Sequence, residues 1–563
     1  MKNQAIRTVS TFFLLCAVLF SSCAKTGAHP QPTQALRSRR STEIHEETEK
    51  QVEVQVTRVA SQEQTKPLPS MTATPSPTRG VPVVPVHGGE ELPNDEPYDS
   101  MFFEGYGVNP FIDTEDDPLS TFAMDVDTAS YSIARRYIGE GHLPPKDAIR
   151  VEEFVNYFDV SYPDPEEGQG AFAVHLEGAP SVFGGERYYL LRVGIQGRHI
   201  HVEDRKDAVL TFVIDVSGSM DRENRLGLVK RSLRLLVDQL GPRDKVGIVV
   251  YGDRARTVLQ PTSARNRDKI LRAIDGLRSN GSTYAEEGLR EGYRMANRAF
   301  QQGAINRVIL CSDGVANVGR TGADSILKVI SEYAGREITL STVGFGLGNY
   351  NDVLMEQLAD KGNGNYAYVD TLEEAERIFV ENLTGTLQVI ARDSKIQVEF
   401  DPAIVSRYRL LGYENRAVAD EDFRDDTVDA GEVGAGHQVT ALYEVKFHPD
   451  ASERDLSGCA LTVRIRYQDP DSLLVHEVAR EMWRADFRAS AADTSPSFRL
   501  MAAVAEYAEI LRGSYWAQES QLEDVLDLAR SAASELDEYE DLEDDVREFI
   551  WLVSQANELV EEG

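Results

Sequence analysis

The sequence predicts an α/β architecture: a doubly wound, mostly parallel sheet inserted into a β-sandwich, preceded by a helical segment and followed by helices. Three observations predict it. Between residues 207 and 385, continuous apolar runs alternate with amphipathic runs of helical period, the pattern of repeated βα units. On both sides, shorter stretches alternate apolar and polar residues with a period of two, which suits half-buried strands. Charge is also spread unevenly. The 563 residues include 93 acidic and 59 basic side chains, for a formal net charge of -34, yet residues 207–385 hold 24 acidic and 23 basic ones. A near-neutral centre between acidic flanks marks its own boundaries.

The same composition excludes some functions. A chain this acidic has no general basic surface to neutralise phosphates, so nucleic acid is not its partner. Four cysteines in this length do not make the disulfide framework of a small secreted domain. Cys311 and Cys459 read as free thiols.

The chain opens on an address. Lys2 and Arg7 precede an apolar run from Val9 to Phe20. That run is too short for a bilayer, which takes ~20 residues, and suits the core of a signal peptide. It ends Leu19-Phe20-Ser21-Ser22-Cys23, which resembles the lipobox of bacterial lipoproteins. The resemblance implies that 1–22 is a cleaved signal and that Cys23 carries the lipid, a membrane anchor when two or more acyl chains are attached. It places the protein in the cell envelope, outside the cytoplasm. Ala24, where an Asp would retain such a protein at an inner membrane, points to the outer one in a two-membrane cell. Residues 23–107 read as a Pro-rich tether, since ten of the 23 prolines fall between 24 and 100 and Pro supports neither helix nor sheet ladder.

Residues 108–171 read as helical. Asp127 or Thr128 is a good N-cap, Gly141 closes that helix, and Pro144-Pro145 opens another with Ile149, Phe154, Val155 and Phe158 inward. Phe172, Val174 and Leu176 alternate, as do Leu191, Val193 and Ile195. After the centre, Ile396-Val398-Phe400, Val439–Val445 and Leu461-Val463-Ile465 do the same. Neither group alone makes a sturdy sheet, so 172–205 and 390–485 are expected to pair into one sandwich. Residues 486–563 read as an acidic helical region. The nine acidic side chains of 535–548 are expected on a solvated helix face.

The chemistry lies in the centre. Strands are expected at Val209–Ile214, Val246–Tyr251, Val308–Cys311, Ile338–Val343 and Tyr366–Val369, with helices at Leu226–Leu240, Ile270–Leu277, Ala285–Phe300 and Ile326–Tyr333 and a last helix over Leu372–Leu383. Ligands of such sheets bind at the carboxyl ends of the strands. There the first strand runs into Asp215-Val216-Ser217-Gly218-Ser219, a second loop carries Gly281-Ser282-Thr283, and a third carries Ser312-Asp313-Gly314. Carboxylates plus hydroxyls are hard oxygen donors that suit Mg²⁺.

Asp-x-Ser-x-Ser with a distant Thr and a distant Asp-Gly resembles the metal-ion-dependent adhesion site of von Willebrand factor type A (VWA) domains, which are Rossmann-like. The resemblance implies Asp215, Ser217, Ser219, Thr283 and Asp313 as metal ligands, Mg²⁺ as the ion with Mn²⁺ or Ca²⁺ as substitutes, and a partner protein whose carboxylate fills the open coordination position. Asp117-Pro118-Leu119-Ser120-Thr121-Phe122, Leu410–Arg416 and Asp429–His437 further resemble the YfbK-like family of bacterial VWA lipoproteins, over about 108 to 560.

The function expected is therefore a membrane-tethered binding module and not an enzyme. No Gly-x-Ser-x-Gly, His-Glu-x-x-His or Walker loop occurs, and the site has no obvious base. The alternative is a structural envelope scaffold whose metal only stabilises the fold. His199, His201 and Glu203 alternate as on one face of a strand and are read as surface residues. Asp420–Asp429 lacks the Gly of a calcium loop and is read as a solvated loop.

Overall fold

The computed structural model describes residues 103–562 apart from 125–126, 167, 186, 315–322, 347–349, 429, 450–457 and 537–539. The signal segment, Cys23 and nearly all of the tether lie outside the described residues.

The first elements of the described residues are two strands where only helices were expected, β1 (Ile112–Asp113) and β2 (Leu119–Ala123). Helix α1 (Ala129–Gly139) and the short α2 (Val151–Val155) follow. Thr128 occupies the N-cap of α1 without a side-chain bond. The Asp127 carboxylate instead accepts the amide of Tyr366 at 3.0 Å and a bond from Arg416. Next come β3 (Phe172–Pro180) and β4 (Tyr188–Gly197). The chain leaves the sheet at Gly197, so His199, His201 and Glu203 lie in a turn, not on a strand. His199 Nδ1 pairs there with Asp164 at 2.6 Å.

The centre follows as β5 (Ala208–Asp215), α3 (Arg225–Gln239), β6 (Lys245–Tyr251), β7 (Arg256–Ser263), α4 (Arg267–Asp275), α5 (Ala285–Ala299), β8 (Ile305–Ser312), α6 (Ala323–Ala334), β9 (Ile338–Phe345), α7 (Asp352–Lys361) and β10 (Tyr366–Val369). The sheet order is β10-β9-β8-β5-β6-β7. All pairs are parallel except β6 with β7. Every residue of β5 is buried, as expected of a strand covered on both faces. One face packs Leu289 and Tyr293 of α5 with Ile330 of α6 and Leu358 of α7. The other packs Val229 and Leu236 of α3 with Ile274 of α4. Strand β7 carries Pro261, which an edge strand tolerates and which hides it from a search for apolar runs.

The last helix of this unit is not continuous. It consists of α8 (Leu372–Glu376), a π-turn (Arg377–Glu381) and α9 (Leu383–Leu387). The wide turn sends Phe379 into the core beside α3 while the Arg377 guanidinium stacks 3.3 Å from the Tyr157 ring centroid.

The sandwich takes in β11 (Val389–Phe400), β12 (Val405–Leu411), β13 (Gly431–Gly434), β14 (Gln438–Phe447), β15 (Cys459–Gln468) and β16 (Val475–Trp483). One sheet runs β1-β12-β14-β4-β3 and the other β13-β11-β15-β16, with β2 also on β11. Strands from before and after the α/β unit thus share a sheet, with Leu191 opposite Tyr443. Between the sheets lies one core that includes Val193, Ile195, Ile396, Val398, Val463 and Ile465. The chain enters and leaves the α/β unit side by side: Lys206 N donates to Gln388 Oε1 at 2.8 Å.

Three helices end the chain, α10 (Pro496–Leu511), α11 (Leu522–Ala533) and α12 (Glu540–Glu562). They form one apolar cluster with α1 and α2, including Tyr131, Phe154, Val504, Val525 and Phe549. Leu190 and Leu442 join that cluster, so the first sheet is covered on its outer face too. The acidic stretch 535–548 is not wholly solvated. Glu548 meets Arg135 at 3.0 Å, and Asp545 lies 3.8 Å from Arg377 with its carboxyl pushed up to about 6, first by burial. Cys311 and Cys459 are free thiols. Among the described residues, no helix is long and apolar enough to cross a membrane.

Candidate metal centre at the ends of β5 and β8

Strand β5 stops at Asp215 because the next residues turn away from the sheet. Val216 N bonds Tyr251 O at 2.9 Å, and a 3-10 turn, Gly218–Asn224, leads into α3. The loop before α5 is laced to this turn. Asn280 N donates to Val216 O at 2.6 Å and Gly218 N to Gly281 O at 3.0 Å. Gly281 has φ +93°, a conformation open to Gly. Asp253, beyond β6, accepts the Ser282 amide and hydroxyl, both at 2.8 Å. Thr283, next in the chain, is half-buried.

Three of the five candidate ligands, Asp215, Ser217 and Ser219, are joined by short contacts, and Asp313 interacts with two of them electrostatically. Asp215 Oδ1 accepts the Ser217 amide at 2.8 Å, and Ser312 Oγ donates to Asp215 Oδ2 at 3.1 Å. The Ser217 and Ser219 hydroxyls lie 2.9 Å apart, and the Ser219 hydroxyl helps to hold the Asp313 carboxyl down against the effect of burial. Asp313 Oδ2 accepts from Arg225 Nη1 at 2.9 Å. The fifth, Thr283, directly follows the laced residues 280–282, and among the described contacts its side chain has none with the other four.

Both carboxylates are out of water, Asp215 at 0% and Asp313 at 4% exposure. Burial pushes Asp215 up to about 7, and the charge of Asp313 adds to it against the bonds from Ser217 and Ser312. Burial also raises Asp313, with Arg225 opposing. Two buried carboxylates side by side are costly in their charged forms, and a divalent cation relieves both penalties. The donor set fits a hard, oxygen-seeking ion. Among the described residues there is no cluster of three or more His, Cys, Asp or Glu able to hold a metal, so a site here depends on the hydroxyls. A cavity of about 750 Å³ lies elsewhere, between β3 and β16, lined by Val174, Leu176, Met482 and Phe487 among others.

Sequence reasoning missed Arg225. It follows Ser219 at no motif spacing, and only its burial at the first turn of α3 marks it. The role of Ser312 as a bridge to Asp215 was likewise hidden, although it directly precedes Asp313.

Comparison with known proteins places these elements. The family model for the von Willebrand factor type A domain matches residues 210–381, one described as von Willebrand factor matches 97–191, and the C-terminal model of uncharacterized protein YfbK matches 385–559. Uncharacterized protein YfbK of Escherichia coli (strain K12) is 36% identical over 457 residues, covering 77% of this chain and 78% of that protein. Inter-alpha-trypsin inhibitor heavy chain H4 of Homo sapiens is 28% identical over 163 residues, 28% of this chain and 17% of that one. Among solved structures, a von Willebrand factor type A protein from Catenulispora acidiphila is 16% identical with a TM-score of 0.41, covering 69% of this chain and 92% of that one. The α/β unit is a VWA domain, and the chain as a whole belongs to the YfbK family.

Proposed function

We propose that this chain is a binding module that holds Mg²⁺ at Asp215, Ser217, Ser219, Thr283 and Asp313 and uses it to ligate a carboxylate of a partner protein. VWA domains generally mediate contacts between proteins. The observation that carries the finer reading is the pair of buried carboxylates, Asp215 and Asp313, set against a row of hydroxyls with a single guanidinium beside them. When bound, the ion supplies an open coordination position for an anionic oxygen.

The chain's own residues do the rest. Ser217 N and Ser312 Oγ fix the Asp215 carboxylate by one bond on each oxygen. Arg225 fixes Asp313. The lacing of Gly218 to Gly281 keeps the three loops in one arrangement before any ligand arrives, which lowers the entropy lost on binding. Arg225 stays protonated and cannot serve as a general base, and in this reading both carboxylates are taken up as ligands of the ion, so the role is binding. Lipidation at Cys23 would hold the module on a membrane facing away from the cytoplasm, at the end of the 23–107 tether.

A pull-down from envelope extracts with wild type and Ser217→Ala, each with and without EDTA, tests this. Partners recovered only by metal-loaded wild type are expected. Identical partners in all four samples would overturn it, and global unfolding on chelation would favour the scaffold role.

A further inference from the structure

We infer that Arg225 sets the charge a metal-loaded site presents to its partner, and so makes the site a receptor for anions. This rests on the metal reading above.

The two carboxylates are compensated unequally. Asp215 receives neutral donors, a backbone amide and a serine hydroxyl. Asp313 receives a guanidinium at 2.9 Å, and both partners are sequestered, with side-chain exposures of 6% and 5%. Two carboxylates and a divalent ion cancel. With Arg225 in place, the loaded site keeps one positive charge in a water-poor setting, where charges act over longer reach. Among the described residues, Asp221 and Asp253 are further carboxylates on these loops, and both are exposed to solvent and bonded to Ser279 and Ser282, so the high dielectric of water weakens their pull on it.

The fold reserves space for this guanidinium. Gly346, just past β9, has φ +82°, and a Cβ there would stand 2.3 Å from Arg225 Nε. The Arg225 side chain lies across that glycine on its way from the first turn of α3 to Asp313. A residue needed only to neutralise a buried acid would favour every bound state alike. A fixed positive charge does not: it opposes the incoming cation and favours the anion that follows.

That difference in sign is the test. The full chain is stripped with EDTA at pH 8 and low salt, and Mn²⁺ is titrated with water-proton relaxation as the readout. Acetate is then titrated onto the Mn²⁺-loaded protein. Arg225→Gln is expected to bind Mn²⁺ more tightly and acetate more weakly, each on the order of tenfold, while Arg225→Lys stays near wild type in both. Weaker binding of both ligands by Arg225→Gln would overturn the proposal. Should that variant not fold, Gly346→Ala, which displaces the guanidinium and leaves Asp313 in place, has to show the same opposite changes, and a loss of both affinities overturns the proposal there too. Wild type that takes up no Mn²⁺ would instead overturn the metal reading itself.

Discussion

Arg135 on α1 grips Asp370, the residue just after β10, through two parallel hydrogen bonds of 2.9 and 2.6 Å. The same guanidinium reaches Glu374 at 2.8 Å, the Tyr157 hydroxyl at 2.7 Å and Glu548 at 3.0 Å. One buried cation thus ties the helix before the VWA domain, the last helix of that domain and the C-terminal helix.

Removing it strands two buried carboxylates. Arg135→Ala is expected to cost about 3–5 kcal/mol, read by urea denaturation. A loss below ~1 kcal/mol would show that the hub is replaceable.

Metal binding should appear as stability. Mg²⁺ at a hundred times its dissociation constant adds about 2.7 kcal/mol to a native state that alone binds it. Wild type is expected to melt higher with Mg²⁺ than with EDTA, and Asp215→Asn to melt alike in both. An equal shift in the variant would place the ion elsewhere.

Glu506 on α10 makes the fold sensitive to pH. Burial pushes its carboxyl up to about 7. Because the folded value is raised, its stabilising contribution is complete below the unfolded value of about 4.5 and is lost as pH rises through 7. Glu506→Gln, which keeps the shape and cannot ionise, is expected to exceed wild type by about 2–3 kcal/mol at pH 8 and to match it at pH 4. Equal stability at pH 8 would contradict this.

Gly434 on β13 lies against the VWA domain's exit helix. A Cβ there would come within 1.9 Å of the Gly385 carbonyl oxygen. Gly434→Ala is expected to cost about 1–3 kcal/mol by forcing the backbones apart, visible as a lower melting temperature. An unchanged melt would mean that the junction gives way freely.

Cys23→Ser should move the protein from the membrane to the soluble fraction on cell fractionation, since the anchor is expected on that thiol. Continued sedimentation with membranes would rule the anchor out.

The α/β unit was readable because its signals are strong and local. A run such as Val209–Ile214 is apolar on both faces, and Asp-x-Ser-x-Ser carries its chemistry in five consecutive residues. Strand β7 was not readable, because an edge strand with Pro261 has one dry face and little pattern. Helix α7 and the π-turn at Arg377 were missed as well, the turn because it answers to Tyr157 and Phe379, partners set by tertiary packing. Residues 112–123 read as lead-in to helices, because a two-residue strand such as β1 exists only through its neighbour β12. Likewise Asp127 has the spacing of a cap, yet its carboxylate accepts a backbone amide from β10 and a bond from Arg416. Glu548 and Asp545 look solvated in a run of acids and are drawn inward by Arg135 and Arg377, whose approach no local pattern announces.

The splice between Lys206 and Gln388 has a consequence for how the chain reaches this state. Strand β4 needs β14, and β2 needs β11, with Phe122 opposite Ile396, so neither pair can form until synthesis has passed the VWA domain. Bringing such distant strands together costs loop-closure entropy that grows with the logarithm of the intervening length. The VWA domain is complete in sequence before those partners emerge. Once it folds, its two ends stand a hydrogen bond apart at 2.8 Å, and the long loop becomes a short one. The VWA domain is thereby also the clasp that lets the surrounding sandwich close.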